Sequence, residues 1–275
     1  MKLSLLGVRG STPAPGPDFV RYGGHTSCVA VTARGQDLPT LVLDAGTGIR
    51  SLSGRLPGPG FQGSILLSHL HWDHVQGVPF FVAGDNDASV VDVYLPAQDG
   101  MTGRDLFASF MSPPRFPIEP EGLRGTWSFT ALEPGRTTIG DFAVTAAQIA
   151  HKGGRTFGYR VDNGERSVAY LPDHAPVNGV TDDLRSMLQG VDVMLHDAQF
   201  LESERKIADL FGHATIPEAV ALAAEAQVGT LVLFHHGPAR TDDQLDAIAC
   251  DLVDAPIRVV LAVEGQQIEV GDDAR

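Results

Sequence analysis

The sequence predicts an α/β protein made of two β-rich halves with helices outside them, the halves meeting near residue 135. Three observations predict this. Short apolar runs of strand type alternate with helix signals along the whole chain. Two of the helices open on capping boxes, Thr215-Ile-Pro-Glu218 and Thr241-Asp-Asp-Gln244. No linker or low-complexity tract divides the 275 residues, so residues 1–275 read as a single domain. Hydrophobic residues make up 43% and charged residues 20%, which supports a large core and argues against disorder.

Taken in order, Lys2–Val8, Cys28–Thr32 and Thr40–Leu43 read as strands. Asp44-Ala-Gly-Thr-Gly48 and a short helix to Leu56 follow, and Pro57-Gly-Pro-Gly60 is a turn. Ser64–Leu67 is a buried strand and Val90–Leu95 another. Gly103–Met111 reads as a helix stopped by Ser112-Pro113-Pro114. The segment from Met111 to Gly125 carries four prolines and balances Arg115 and Arg124 against Glu119 and Glu121, which suggests a lid. Strands resume at Thr126–Leu132, and Phe142–Ala150, Ser167–Pro172 and Thr230–Phe234 are further β-type runs. After Thr215, a Pro just inside the helix start precedes one apolar face of Ile216, Ala219, Val220, Ala223 and Ala224. Val259–Val263 and Gln267–Val270 close the chain as strands.

Composition narrows the function classes. Net charge is −14, from 20 Lys plus Arg against 34 Asp plus Glu, with no basic cluster. A protein that holds a long nucleic acid needs such a face, so RNA and DNA are not expected partners. No apolar run approaches the ~20 residues of a membrane span, and Leu3–Val8 is too short for a signal segment. The expectation is a soluble cytoplasmic protein with no membrane partner; a homodimer is left open. Cys28 and Cys250 are read as two buried free thiols rather than a disulfide.

Residues 68–77 carry most of the functional information. Directly after the Ser64–Leu67 strand they place His69, His71, Asp73 and His74 in one short loop. Histidine is 10 of 275 residues, so three within six beside an Asp is not a chance surface cluster. Imidazole and carboxylate are ligands for a borderline cation such as zinc. Four of them exceed what one open catalytic ion takes from a single loop, and two ions are therefore expected.

This His-x-His-x-Asp-His motif resembles the metallo-β-lactamase superfamily. That resemblance implies an αββα sandwich with the metals at one edge between the sheets. It also implies a later His, Asp and His, each at a strand end, and His151, Asp173 and His235 stand in that order after strand-like runs. His69, His71 and His151 would then hold one ion, and Asp73, His74 and His235 the other, with Asp173 bridging. His71 stands where di-iron oxygen-reducing relatives have Glu, which favours zinc, though the same ligands accept manganese or iron.

Further stretches are similar to ribonuclease Z and small phosphodiesterases of the superfamily: Leu6–Pro13, Tyr22–Ser27, His151 with Gly158-Tyr159-Arg160, His196–Phe200 and Gly212–Thr215. The resemblance implies that His213, oriented by Asp197, is the general acid, alongside Asp73 in the catalytic set. Ribonuclease Z grips transfer RNA with a long arm that this chain lacks. A small cyclic or diester phosphate is therefore the expected substrate. The alternatives are RNA 3′ processing of the ribonuclease Z kind, thioester or lactone hydrolysis, and a non-catalytic binding member of the fold. Asp44 is read as a brace for the metal loop, Trp72 as packing, His25 as a residue of the cleft or of the scaffold, and Arg160 as a solvated strand-edge residue rather than a contact to a phosphate oxygen. His174 and His236 adjoin proposed ligands, and since neighbouring strand residues point to opposite faces, one of each pair ligates; the resemblance selects Asp173 and His235.

Overall fold

The structure, a computed structural model, describes residues 1–271. Its strands are β1 (Lys2–Gly7), β2 (Cys28–Thr32), β3 (Leu41–Leu43), β4 (Gln62–Leu66), β5 (Val90–Pro96), β6 (Thr126–Leu132) and β7 (Gly135–Ile139). They continue as β8 (Phe142–Ile149), β9 (Thr156–Asp162), β10 (Ser167–Leu171), β11 (Val193–Asp197), β12 (Thr230–Phe234), β13 (Arg258–Leu261) and β14 (Gln267–Glu269). The helices are α1 (Trp72–Val75), α2 (Gly103–Ala108), α3 (Asp182–Leu188), α4 (Arg205–Phe211), α5 (Ile216–Glu225) and α6 (Asp242–Asp251). Among the described residues, no helix is long and apolar enough to cross a membrane.

Two seven-stranded sheets are formed. The first runs β14-β1-β2-β3-β4-β5-β6 and the second β13-β12-β11-β10-β9-β8-β7. The chain passes from the first sheet to the second between β6 and β7, around residue 135. The end of the chain departs from a simple two-halves reading: β14 returns to pair antiparallel with β1, Lys2 facing Glu269.

Side-chain alternation accounts for the four layers. In β2, Val29 and Val31 point between the sheets, where they meet Val144, Phe157, Tyr159 and Val232. Their neighbours Cys28 and Ala30 point outward onto Ile49 and Leu52 of a 3-10 helix, Thr47–Arg55. In the second sheet, Tyr170 faces inward, while Ala169 and Leu171 face Leu184 and Met187 of α3 and Ala219 and Leu222 of α5. Strands covered on both faces are apolar throughout, which is why they read as runs rather than as strict alternation. The result is the αββα sandwich.

Several local expectations are corrected. The helix that opens at Gly103 ends at Ala108, not Met111, with the Ser109 amide closing its last turn. The segment 111–125, expected as a lid, contributes no residue to the cleft over His71 and Asp73. Phe116 and Ile118 pack on the outer core of the first sheet, and Arg104 of α2 pairs with Glu119 and Glu121. Both thiols are free, but Cys250 lies exposed on α6 while only Cys28 is buried.

Candidate metal centre

Four strand ends and one loop build the site. β4 stops at Leu66, and the chain turns through Ser68 and His69 into α1, whose first turn holds Asp73 and His74. β8, β10 and β12 end just before His151, Asp173 and His235. His235 itself adopts φ 58°, which turns its ring away from the strand direction.

The ligand atoms of His69, His71, His151 and Asp173 lie within 4.8 Å of one another, and so do those of Asp73, His74, Asp173 and His235. Asp173 belongs to both groups, with its two oxygens divided between them. Oδ2 is 3.4 Å from His151 Nε2 and 3.7 Å from His69 Nε2. Oδ1 is 3.0 Å from His74 Nε2 and 3.1 Å from His235 Nε2. All seven side chains expected as ligands are thus brought together in two groups sharing one carboxylate.

The far side of several rings is already engaged. Asp44, fully buried at φ 55°, accepts from the Ser68 amide at 2.7 Å, the Ser68 hydroxyl at 2.8 Å, His74 Nδ1 at 2.6 Å and Tyr170 at 2.9 Å. With the Ser68 proton given to Asp44, His69 Nδ1 donates to Ser68 Oγ at 3.0 Å. His151 Nδ1 donates to the Gly212 carbonyl at 2.7 Å. Each of these bonds fixes the tautomer that leaves Nε2 free to ligate. Inside the cluster, His69 Nε2, His74 Nε2 and Asp173 Oδ1 are buried without a hydrogen-bonding partner. His74 Nε2 and Asp173 Oδ1 are close, but not aligned as a hydrogen bond. Buried polar atoms without partners are costly, and their convergence on common points fits a cation.

Electrostatics agree. Burial, reinforced by neighbouring imidazoles, holds His69, His71 and His151 below the usual histidine range, as neutral ligands require. Burial works against ionised Asp73 and Asp173, yet the surrounding histidines outweigh it and hold both carboxyls well below their usual range. Burial likewise opposes a charged His74, and the carboxylates of Asp73, Asp173 and Asp44 overcome it and push its pKa up.

Asp197, His213 and His235 also stand close enough to ligate. Asp197, however, is already heavily engaged: Oδ2 accepts from His213 Nδ1 at 2.8 Å and from the His174 and Ala214 amides, and Oδ1 from the Gln199 amide. Burial opposes protonation of His213, but Asp197, with Asp173 and Asp73 behind it, pushes its pKa up to about 9. The His213–Asp197 pair is therefore set up to carry a proton.

The other residues singled out in the sequence separate cleanly. His25 contacts Thr47 and lies outside both groups. Arg160 pairs with Asp162 and donates to the Met187 and Gln189 carbonyls at the end of α3. His236 Nε2 donates to the Ala262 carbonyl and His174 pairs with His196, both turned away from the clusters. Trp72 is not packing: it is 75% exposed and lines the cleft. Sequence reasoning missed Tyr170 and the Ser11 amide, which donates to Asp73 Oδ2 at 2.6 Å. Ser11 lies within a stretch marked by similarity, whereas nothing marks Tyr170 among its strand neighbours.

A cleft of about 860 Å³ opens over His71, Asp73, His151, Asp173 and His213. A larger hollow of about 1260 Å³ lies over β7–β10 and contains none of these groups, so its size does not make it the reactive site.

Residues 40–236 match the beta-lactamase superfamily domain. An uncharacterized protein of Mycobacterium tuberculosis is 29% identical over 271 residues, covering 96% of this chain and 91% of that one. Ribonuclease Z of a Bradyrhizobium species is 25% identical over 303 residues, covering 90% and 93%. Among solved structures, the metallo-beta-lactamase fold protein YhfI of Bacillus subtilis superposes with a TM-score of 0.74 at 20% identity, covering 98% and 99%.

Proposed function

The chain belongs to the metallo-β-lactamase superfamily, and from that premise we propose that it is a binuclear metal-dependent phosphodiesterase acting on a small cyclic or diester phosphate. The observation that carries the proposal is the division of Asp173, one oxygen toward His69 and His151, the other toward His74 and His235. A carboxylate so placed suits a bridge between two cations. His69, His71 and His151 would hold one, and Asp73, His74 and His235 the other, with zinc favoured by the histidine-rich set and manganese or iron accepted by it. Two such ions, when bound, would supply an activated water and charge stabilisation for displacement at phosphorus.

The chain's own residues supply the rest. Asp44, Ser68 and the Gly212 carbonyl hold the ligand rings in register. Asp73 is held by the Ser11 amide as well as by its histidine neighbours. His213, oriented through Nδ1 by Asp197, presents Nε2 to the cleft and protonates the departing alkoxide. That step favours a phosphodiester over a thioester, because a thiolate leaves without a proton. The relationship to a ribonuclease Z supports phosphodiester chemistry without fixing the substrate.

The test combines elemental analysis with a substrate panel. Protein purified without chelator should carry close to two transition-metal ions per chain and hydrolyse bis(p-nitrophenyl) phosphate or a cyclic nucleotide faster than a thioester or lactone. One ion or fewer after zinc or manganese supplementation overturns the binuclear assignment. A clear preference for the thioester or lactone overturns the phosphodiesterase assignment.

A further inference from the structure

The two tryptophans of the chain are treated very differently. Trp127 stacks near Phe129 and donates its indole N–H to the Arg124 carbonyl. Trp72, held between the proposed ligands His71 and Asp73, is 75% exposed and meets no other ring among the described residues. Helix α4 repeats the anomaly. A helix at a solvated surface ordinarily turns polar residues outward. On α4, Ile207 is 47%, Leu210 60% and Phe211 55% exposed, while Ala208 is buried.

These residues do not form a detached patch. Trp72, Ile207 and Phe211 line the cleft whose base is the metal cluster, together with Leu70, Phe200 and Pro238. α4 is also tied to the reacting groups. Its C-cap Gly212 takes the left-handed conformation, accepts from His151 Nδ1 and leads directly into His213. Among the described residues, Lys152 is the one Lys or Arg lining the cleft, and its Nζ donates to the Leu210 carbonyl. The cleft thus has metal-binding polarity at its base and apolar walls, with no array of cations among the described residues to grip a run of phosphates. Its volume falls in the range of small-molecule sites.

We propose that Trp72, Ile207 and Phe211 select substrates whose phosphate carries a flat aromatic group, which the apolar walls take while the phosphate rests on the metal site. The proposal rests on the phosphodiesterase reading for its head group, and its test is chosen to separate the two. Trp72 comes from the first half of the chain, and Ile207 and Phe211 from the second. A ring held between them gains apolar burial and aromatic contact that an alkyl ester of the same charge cannot match.

The experiment compares phenylphosphonate with methylphosphonate, measured by calorimetric titration of the zinc- or manganese-loaded protein. Both carry the same anionic head and neither is turned over, so losses through the metals cancel in the ratio of affinities. The wild type should bind the phenyl compound about 10-fold more tightly. Trp72→Ala and Phe211→Ala should each lower that ratio, and Trp72→Phe should retain most of it. A ratio near one in the wild type, or one that either alanine substitution leaves intact, overturns the proposal. So does dissociation of a dimer by these substitutions at unchanged ratio, because the apolar walls would then be a contact between copies. A phenyl preference without turnover of any diester leaves the apolar walls as assigned and removes the phosphodiesterase reading. Diester turnover with equal binding of the two anions does the reverse.

Discussion

Ser11, Asp44 and His235 adopt positive φ without being glycine, at 62°, 55° and 58°, and all three meet at the metal clusters. Such conformations cost about 1–3 kcal/mol each where side chains resist them, with Asp and His more tolerant than Ser. Each deviation has a specific result: an amide aimed at Asp73, a carboxylate set behind His74, and a ring turned between Asp73 and Asp173. The roles of individual residues can be separated by metal content. Asp73→Ala should lose an ion and activity together. His213→Ala should keep both ions, measured by elemental analysis, and slow hydrolysis of a diester with a poor leaving group by about 10²–10⁴-fold. Unchanged rate on such a diester would remove His213 from the reaction. A rise in pH through the His213 pKa removes the donated proton, so the rate should fall on the alkaline side, and bound cations act to bring that limb to lower pH. The chemistry-bearing residues were legible in the sequence because four sit in one loop and three cap apolar runs. Of their supports Asp44 and Asp197 were legible too, but Tyr170 and the Ser11 amide were not, because a tyrosine in a buried strand or a backbone amide carries no mark of its partner.

Elements place these residues through their ends. β4, β8, β10 and β12 stop at one edge of the sandwich, so the polar residue that follows each is delivered to a common volume by a rigid sheet. The long apolar strands were legible for the same reason, since burial on both faces leaves an unbroken run. α3 and α4 carry too weak a pattern to be read, being one to two turns long, and α4 exposes Ile207, Leu210 and Phe211 alongside its polar Lys206 and Asp209. β11 is obscured because it ends in His196 and Asp197, polar residues that are nonetheless fully buried. Two glycines mark how closely the connecting loops approach the ligands. At Gly153, φ 89°, an added Cβ would stand 2.6 Å from His71 Nε2; at Gly10 it would run into the His235 ring. Gly153→Ala should therefore weaken the ion held by His69, His71 and His151, and Gly10→Ala the one held by Asp73, His74 and His235. Displaced ligands and ligand supports commonly cost about 10–100-fold in metal affinity. A two-phase metal titration checks this: each variant should move a different phase, and movement of the same phase by both would contradict the division of ligands.

At the scale of the whole molecule, charge and shape decide what reaches the site. The chain is at −14, and the two proposed divalent ions would leave it acidic. The segment between Met111 and Gly125 could have served as an arm or a lid, but its acidic residues Glu119 and Glu121 are paired with Arg104 and its apolar ones are packed on the first sheet. With that segment packed down and the chain strongly acidic, we expect no grip on a folded RNA beside the cleft. An enzyme that makes about six to ten phosphate contacts loses about 10³–10⁵ in affinity between roughly 50 and 200 mM salt, because each contact releases counterions. A compact diester held by the metals and the cleft walls would make few such contacts. For it, kcat/KM should change by no more than about tenfold over the same range. Transfer-RNA precursors should be cut negligibly at physiological salt. Steady-state assays of one small diester and one precursor across that salt range test both statements. Efficient 3′ trimming, with kcat/KM above that of every small diester, would mean that the acidic surface conceals an RNA-binding path and would place the chain with ribonuclease Z in function as well as in fold.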